Sequence, residues 1–223
     1  INDGRLMQIL PATDLSAAVF GSVAGQVVLV TAEQCRFESL RFQAAAPDYE
    51  QAVMGLTVHP NGAQLQVAYG DGVLRGFAME TGQQSFDVKH GAAVRAMALR
   101  SDGQMLATAG EDKVVRFWNA ANGAALAPTQ LEGFEGPVTA VQFSADNRSL
   151  IALEAGPMPR LVVASATDGV VEEVIADIPV EFQSPIAIGE QGTVRVAGIV
   201  GPTIRYWNAL SHRRIGGHTM PVT

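Results

Sequence analysis

A unit of about 41 residues repeats along this chain and limits its possible folds more than any other feature. The turn glycines Gly62 and Gly103 are 41 residues apart, and the aromatic residues Phe77 and Trp118 have the same separation. Two independent landmarks therefore give one period. Repeats of this length are typical of architectures in which one supersecondary unit is stacked many times.

The clearest repeat, residues 93–131, has the pattern of a meander of short strands. Apolar residues alternate with polar or small ones from Val94 onwards, as in a half-buried strand. The turn-forming segment 100–103 and the polar segment 110–113 separate further apolar runs, and an asparagine–glycine pair ending at Gly123 is a hairpin signal. The pattern predicts an all-β fold built from antiparallel sheets.

Tryptophan–asparagine pairs begin at Trp118 and Trp207, and a glycine–histidine pair begins at Gly217. In these residues and in repeat length the chain resembles the WD-repeat family, whose units of about 40–45 residues carry Gly-His near the start and Trp-Asp near the end. The resemblance spans nearly the whole chain and is clearest over residues 52–143 and 193–223. The repeats are degenerate, because asparagine replaces the aspartate and one tryptophan is a phenylalanine.

This resemblance implies a β-propeller of four-stranded antiparallel blades, with about five blades present in a ring that we expect to hold seven. Residues 1–223 form one propeller segment in this interpretation. The fourth repeat is the most degenerate, because Phe134 replaces the expected histidine and Ala164 the expected aromatic residue. We expect residues 1–10 to be the outer strand of a preceding blade and residues 218–223 to begin a following one, so that the chain is an excerpt that aggregates when isolated. The predicted blades cover residues 15–51, 52–92, 93–136, 137–181 and 182–217.

Four residues of the third repeat stand where the family commonly builds a buried hydrogen-bond network: His90, Thr108, Asp112 and Trp118. The resemblance implies that aspartate accepts from the imidazole while the hydroxyl bridges to the indole N–H, satisfying groups that would cost about 1–3 kcal/mol each if buried alone. A histidine, a hydroxyl and a carboxylate are also the parts of a catalytic triad. We favour the structural network, because the second repeat keeps only Asp71 and an aromatic residue of the set, as expected of a structural feature that weakens between repeats.

Arginines recur two residues before the aromatic position, at Arg75, Arg116 and Arg205. They could form a basic stripe for phosphates or acidic peptides. We favour stacking between neighbouring blades with a solvated or paired guanidinium, because a period of two places each arginine on the same strand face as its aromatic residue.

The resemblance also implies a binding face, because the family's usual partner-binding rim carries the loops before first strands and the loops between second and third strands. Carried over residue by residue, this assigns Met54, Arg95 and Thr139 to the starts of first strands and Glu111 to a loop between second and third strands. The expected function is a non-catalytic scaffold for protein or peptide partners. Two alternatives stay open: a sensor or regulatory segment whose partner is another domain of the same full-length chain, and a propeller hydrolase with an axial site.

The composition argues against other classes of function. A formal net charge of -7 repels phosphate backbones, so we expect no nucleic-acid partner. We expect neither a cofactor nor a metal site, because the chain has no Gly-x-Ser-x-Gly motif, no phosphate-binding loop and no His-x-x-x-His pair. No apolar run of about 18 residues and no signal-peptide pattern occur, so we expect no membrane partner and favour the cytoplasm. The chain begins at Ile1, and we expect its natural start to lie outside this sequence.

Overall fold

The computed structural model consists of strands and turns over the residues that it describes, which are residues 51–176 and 178–179 together with the strands outside that range named below. In this part of the chain twenty strands form five sheets of four strands each, and no helix occurs. Within every sheet the pairing is antiparallel and neighbours in sequence are neighbours in space. No described segment is a helix long and apolar enough to cross a bilayer.

The strands are named in chain order, sheet by sheet. The first sheet comprises β1 (Leu6–Pro11), β2 (Ala17–Ser22), β3 (Val27–Glu33) and β4 (Arg36–Arg41). The second comprises β5 (Val53–Val58), β6 (Gln64–Tyr69), β7 (Val73–Ala78) and β8 (Gln84–Lys89). The third comprises β9 (Val94–Leu99), β10 (Met105–Gly110), β11 (Val115–Asn119) and β12 (Ala125–Leu131). The fourth comprises β13 (Val138–Phe143), β14 (Ser149–Glu154), β15 (Arg160–Ser165) and β16 (Val171–Ile175). The fifth comprises β17 (Gln183–Glu190), β18 (Thr193–Val200), β19 (Thr203–Asn208) and β20 (Arg213–Thr219).

The first strands of neighbouring sheets pack against one another in the order β1, β5, β9, β13 and β17. This packing is that of propeller blades, whose first strands lie innermost and whose fourth strands lie at the outer edge. Among the described strands no comparable packing joins β17 to β1, so the five blades form an open array. The prediction of four-stranded antiparallel blades is confirmed, whereas a ring of seven blades stays a prediction.

The ends of the chain differ from the expected blade boundaries. We expected residues 1–10 to belong to a preceding blade, but β1 pairs with β2, from Leu6 opposite Ser22 to Pro11 opposite Ala18. A short connection lets this strand pair with the next one along the chain, which completes the first blade with four strands of its own. At the other end, residues 218–219 finish β20 rather than beginning a blade. Residues 1–5 and 220–223 lie outside the described residues.

Matching turns join the first and second strands of three successive blades. The φ angle is 72° at Gly62, 74° at Gly103 and 62° at Asn147. This left-handed conformation costs glycine nothing and is tolerated by asparagine better than by most residues. The N–H of each residue donates to the carbonyl three positions earlier, at 2.8, 2.8 and 2.9 Å: His59, Arg100 and Ser144. The same backbone turn therefore recurs although the residue at its fourth position changes from glycine to asparagine.

The core lies between the blades, because both faces of the middle strands are covered. In β10, Leu106 packs in the cluster shared with the second blade, and Ala107 packs in the cluster shared with the fourth. Every residue of β10 and β14 is buried. Phe134, which replaces a histidine in the repeat pattern, is buried in the cluster between the third and fourth blades. Loss of the polar residue there is compensated by apolar packing.

Candidate functional site

The most extensive polar cluster that the sequence predicts lies at one rim of the third blade. His90 is in the connection between β8 and β9, Thr108 is in β10, Asp112 is in the turn between β10 and β11, and Trp118 is in β11. In the β10–β11 register Leu106 lies opposite Trp118 and Thr108 opposite Arg116. Trp118 is therefore the diagonal neighbour of Thr108, within reach of a long side chain.

The structure brings these four side chains into one chain of hydrogen bonds. Trp118 Nε1 donates to Thr108 Oγ1 over 2.8 Å. The same hydroxyl oxygen lies 2.9 Å from His90 Nδ1, and His90 Nε2 lies 3.1 Å from Asp112 Oδ1. One assignment of hydrogens satisfies all three contacts: the threonine hydroxyl donates to Nδ1, and a neutral imidazole donates from Nε2 to the carboxylate.

Arg116 completes the cluster by forming a salt bridge with Asp112. Burial lowers the pKa of His90 below its ordinary value. The charge and hydrogen bond of Asp112 raise this pKa and the weaker influence of the Arg116 charge lowers it, but burial outweighs what Asp112 contributes. Burial raises the pKa of the Asp112 carboxyl, but hydrogen bonds and charges from Arg116 and His90 outweigh this and hold that pKa below its usual range. Asp112 is therefore charged and His90 neutral at neutral pH.

The burial of the cluster differs from that of a catalytic triad. Thr108 is fully buried and His90 is 1% exposed. A catalytic triad needs a hydroxyl that reaches its substrate, whereas this hydroxyl is enclosed and bonded to both an indole and an imidazole. The hydrogen bonds join the loop before β9 to β10, to β11 and to the turn between them. We infer that the cluster holds the rim of this blade in place.

The histidine makes the stability of the chain dependent on pH. Its folded-state pKa lies below the ordinary value of 6.5, so the unfolded chain takes up a proton first as the pH falls. This contribution is complete above pH 6.5 and is lost progressively as the pH drops toward the folded-state pKa. Between pH 7.5 and 5.5 we therefore expect the contribution of His90 to the free energy of unfolding to decrease.

Urea denaturation at the two pH values checks this expectation. The His90→Gln variant is expected to lose less stability on acidification than the unaltered chain. His59→Gln is the matched control, because His59 is a half-buried histidine in a turn of the second blade and its replacement leaves the His90 cluster intact. The same pH dependence in His90→Gln and in the unaltered chain would contradict the assignment. Asp112 does not contribute in this window, because its stabilisation is lost only below its ordinary pKa of 3.8.

The residues expected at the binding rim occupy equivalent places in three blades. Met54, Arg95 and Thr139 are the second residues of β5, β9 and β13. Arg95 and Thr139 are exposed, and Met54 is half-buried. Glu111 follows β10 and is exposed, and its Oε1 accepts a hydrogen bond from Arg95 Nε over 2.6 Å. The structure therefore brings Arg95 and Glu111 together at the surface.

The two recurring arginines whose side chains are described pair with carboxylates in different parts of the sheet. Arg75 Nε donates to Asp87 in β8 over 3.0 Å, and its guanidinium carbon lies 5.4 Å from the centre of the Tyr69 ring. Arg116 pairs with Asp112, as described above. The side chain of Arg205 lies outside the described residues. In the second and third blades this position therefore holds a paired guanidinium at the outer part of the sheet.

The sequence analysis missed a second polar cluster, in the fourth blade. Glu154 is 3% exposed, and its Oε1 accepts hydrogen bonds from the backbone N–H groups of Glu135 (3.0 Å) and Gly136 (2.8 Å). Its Oε2 accepts from Arg160 Nε (3.1 Å) and Nη2 (2.7 Å). These bonds fasten the loop before β13 to β14 and β15, as the histidine cluster fastens the loop before β9. The available signal was a glutamate at the end of an otherwise uncharged strand, followed six residues later by an arginine.

Comparison with known proteins bears on the same part of the chain. Residues 83–119 match the family model described as WD domain, G-beta repeat. No curated protein matches the chain. The matched segment begins one residue before β8 and ends with β11, so it straddles two blades and contains all four residues of the histidine cluster. In the described part of the chain, no group of three His, Cys, Asp or Glu residues lies close enough to hold a metal ion. The match and the four-stranded antiparallel blades are together consistent with a WD-repeat protein.

Proposed function

We propose that this chain is a non-catalytic scaffold that binds protein or peptide partners at the rim carrying Met54, Arg95, Glu111 and Thr139. WD repeats generally serve as protein-interaction scaffolds, and they are typically non-catalytic. The observation that carries the proposal is the equivalent placement of Met54, Arg95 and Thr139 on three neighbouring blades. A partner that is another domain of the same full-length protein would use the same rim.

The backbone at this rim is fixed in the same way in three blades. In each blade the N–H group of the residue directly after the second strand donates to the carbonyl directly before the first strand. The three bonds are Gly70 to Ala52 (2.9 Å), Glu111 to Ala93 (3.0 Å) and Ala155 to Pro137 (2.8 Å). A rigid rim loses little conformational entropy when a partner binds. The side chains that it presents differ from blade to blade, which gives a basis for selecting one partner over another.

Partner capture with the whole chain tests the proposal. The Arg95→Ala/Thr139→Ala variant is expected to bind captured partners about tenfold more weakly, because exposed arginines often contribute strongly to interfaces. Arg148→Ala is the matched control, since Arg148 is exposed beside the turn between β13 and β14, at the opposite rim. Binding constants of the captured proteins are then measured by calorimetry. Unchanged affinity in the double variant, or an equal loss in Arg148→Ala, would count against this rim.

A further inference from the structure

Among residues 51–176 and 178–179, the strongly exposed large apolar side chains all belong to the fourth blade. Val171 and Val174, in β16, are 42% and 43% exposed. Val170, directly before that strand, is 59% exposed, and Met158 lies in the loop between β14 and β15. Three of these four side chains are therefore on or beside a single outer strand.

The outer strands of the second and third blades do not carry exposed valines at the equivalent positions. Val174 lies opposite Val162 in the β15–β16 register, and Val171 lies opposite Ala164. At the position of Val174 the second blade has Asp87 and the third has Gln130, both polar. At the position of Val171 the second blade has the polar Gln84 and the third has the small Ala125. The arginine-bearing pairs of those blades are thus replaced by a valine pair in the fourth.

A small open cleft of about 90 Å³ lies beside these valines. It is formed by β15, β16 and the segment that leads from the third blade into the fourth. Four apolar residues line it: Phe134, Val162, Val171 and Val174. Two charged residues, Glu132 and Arg160, line it as well. Phe134 and Val162 are buried, so the cleft gives an incoming side chain access to the core between the two blades.

The backbone edge of β16 is also open, because β16 pairs only with β15 among the described strands. Proteins often protect such edges with proline or with charged residues, especially lysine. In the equivalent outer strands, β12 contains Pro128 and β8 ends at the exposed Lys89. β16 contains neither proline nor lysine, and its only charged residues are Glu172 and Glu173. Its unpaired backbone groups are therefore available to an added strand.

The charge around this edge is negative. Glu132, Glu135 and Glu172 are exposed near the cleft or on β16 itself. The positive charge of Arg160 is already neutralised by Glu154 and Glu135. A basic segment would therefore be attracted to this edge and an acidic one repelled.

We propose that β16 and its cleft bind an extended segment of a partner protein, in which apolar side chains alternate with basic ones, as a fifth strand of the fourth blade. Strand addition supplies backbone hydrogen bonds, and alternate side chains would meet Val171, Val174 and the cleft. This site is separate from the rim carrying Arg95. Variants at the rim and at the edge therefore test the two proposals independently.

A labelled hexapeptide of alternating lysine and valine is the probe, titrated with the whole chain and followed by fluorescence anisotropy. We expect saturable binding that weakens about tenfold in the Val171→Thr/Val174→Thr variant, because apolar contact is lost while strand propensity is kept. Val170→Thr makes the same chemical change outside the cleft and is expected to leave binding unchanged. Replacing lysine by glutamate in the peptide, or methylating its backbone nitrogens, is expected to weaken binding by about tenfold or more.

Equal binding of the probe by the double variant and the unaltered chain would overturn the proposal, as would equal binding of the lysine and glutamate peptides. Absence of saturable binding would overturn it too. Sedimentation of the chain alone tests a second copy as the occupant: self-association abolished by the double variant, without peptide binding, would assign the edge to that copy instead. The methylated peptide leaves the protein unaltered, so that arm holds even if the double variant unfolds.

Discussion

Replacing Asp112 with alanine is expected to lower the free energy of unfolding by about 2–3 kcal/mol. The change removes the acceptor for His90 Nε2 and the carboxylate that pairs with Arg116. His90 is buried, so its N–H group has little access to water as a replacement partner. Urea denaturation monitored by tryptophan fluorescence measures the loss, and Trp118 reports directly on this cluster.

Asp71→Ala is the matched control, because Asp71 is the repeat-equivalent residue of the second blade. That blade has Val67 at the position of Thr108, so it lacks the same chain from hydroxyl to imidazole. We expect a loss of about 1 kcal/mol or less there. Equal losses at the two positions would contradict a special role for the histidine cluster. Unchanged stability in Asp112→Ala, together with lost partner binding or turnover, would instead assign the cluster to function.

Replacing Glu154 with alanine is expected to destabilise the chain by about 3 kcal/mol. Two backbone N–H groups lose their acceptor, and Arg160 loses the buried oxygen that receives both of its hydrogen bonds to this side chain. The same denaturation measurement applies. The expected size is comparable to that for Asp112→Ala because each change leaves partly or fully buried donors without a partner.

A double-mutant cycle separates the buried pair from the exposed one. Arg160→Ala is expected to cost less in the Glu154→Ala background than in the unaltered chain, because its principal partner is already absent. Glu135→Ala is the control: its side chain is 79% exposed, and its ion pair with Arg160 is expected to contribute about 0.5 kcal/mol or less. Additive losses at Glu154 and Arg160 would show that the two side chains do not stabilise the fold as a pair.

The repeat and the strands of the middle blades could be predicted from the sequence because their signals are local. Turns at Gly62, Gly103 and Asn147 follow from residues that tolerate positive φ, and the apolar runs between them mark the strands. The assignment of residues 1–10 to a preceding blade was wrong, because strand pairing is not a local signal. A single apolar run does not specify which neighbour it will pair with.

The two polar clusters also differ in whether a sequence pattern could predict them. The resemblance to a known repeat pointed to His90, Thr108, Asp112 and Trp118, and the structure places them within hydrogen-bond distance of one another. Glu154 belongs to no repeat pattern, so only the folded chain reveals that its carboxylate reaches the loop before β13. A residue that stabilises a single blade does not recur at the repeat period, so the repeat pattern could not identify Glu154.

By itself the sequence determined the all-β class, the repeat period and the position of the best-formed blade. These features follow from backbone propensity and from the alternation of apolar and polar residues, which depend only on residues close together in sequence. The tertiary structure decided which polar groups meet, which strands complete the first blade, and that the valines of β16 lie at an open edge. Those outcomes depend on packing between blades that are distant in sequence, and on surfaces that exist only once neighbouring sheets are in place.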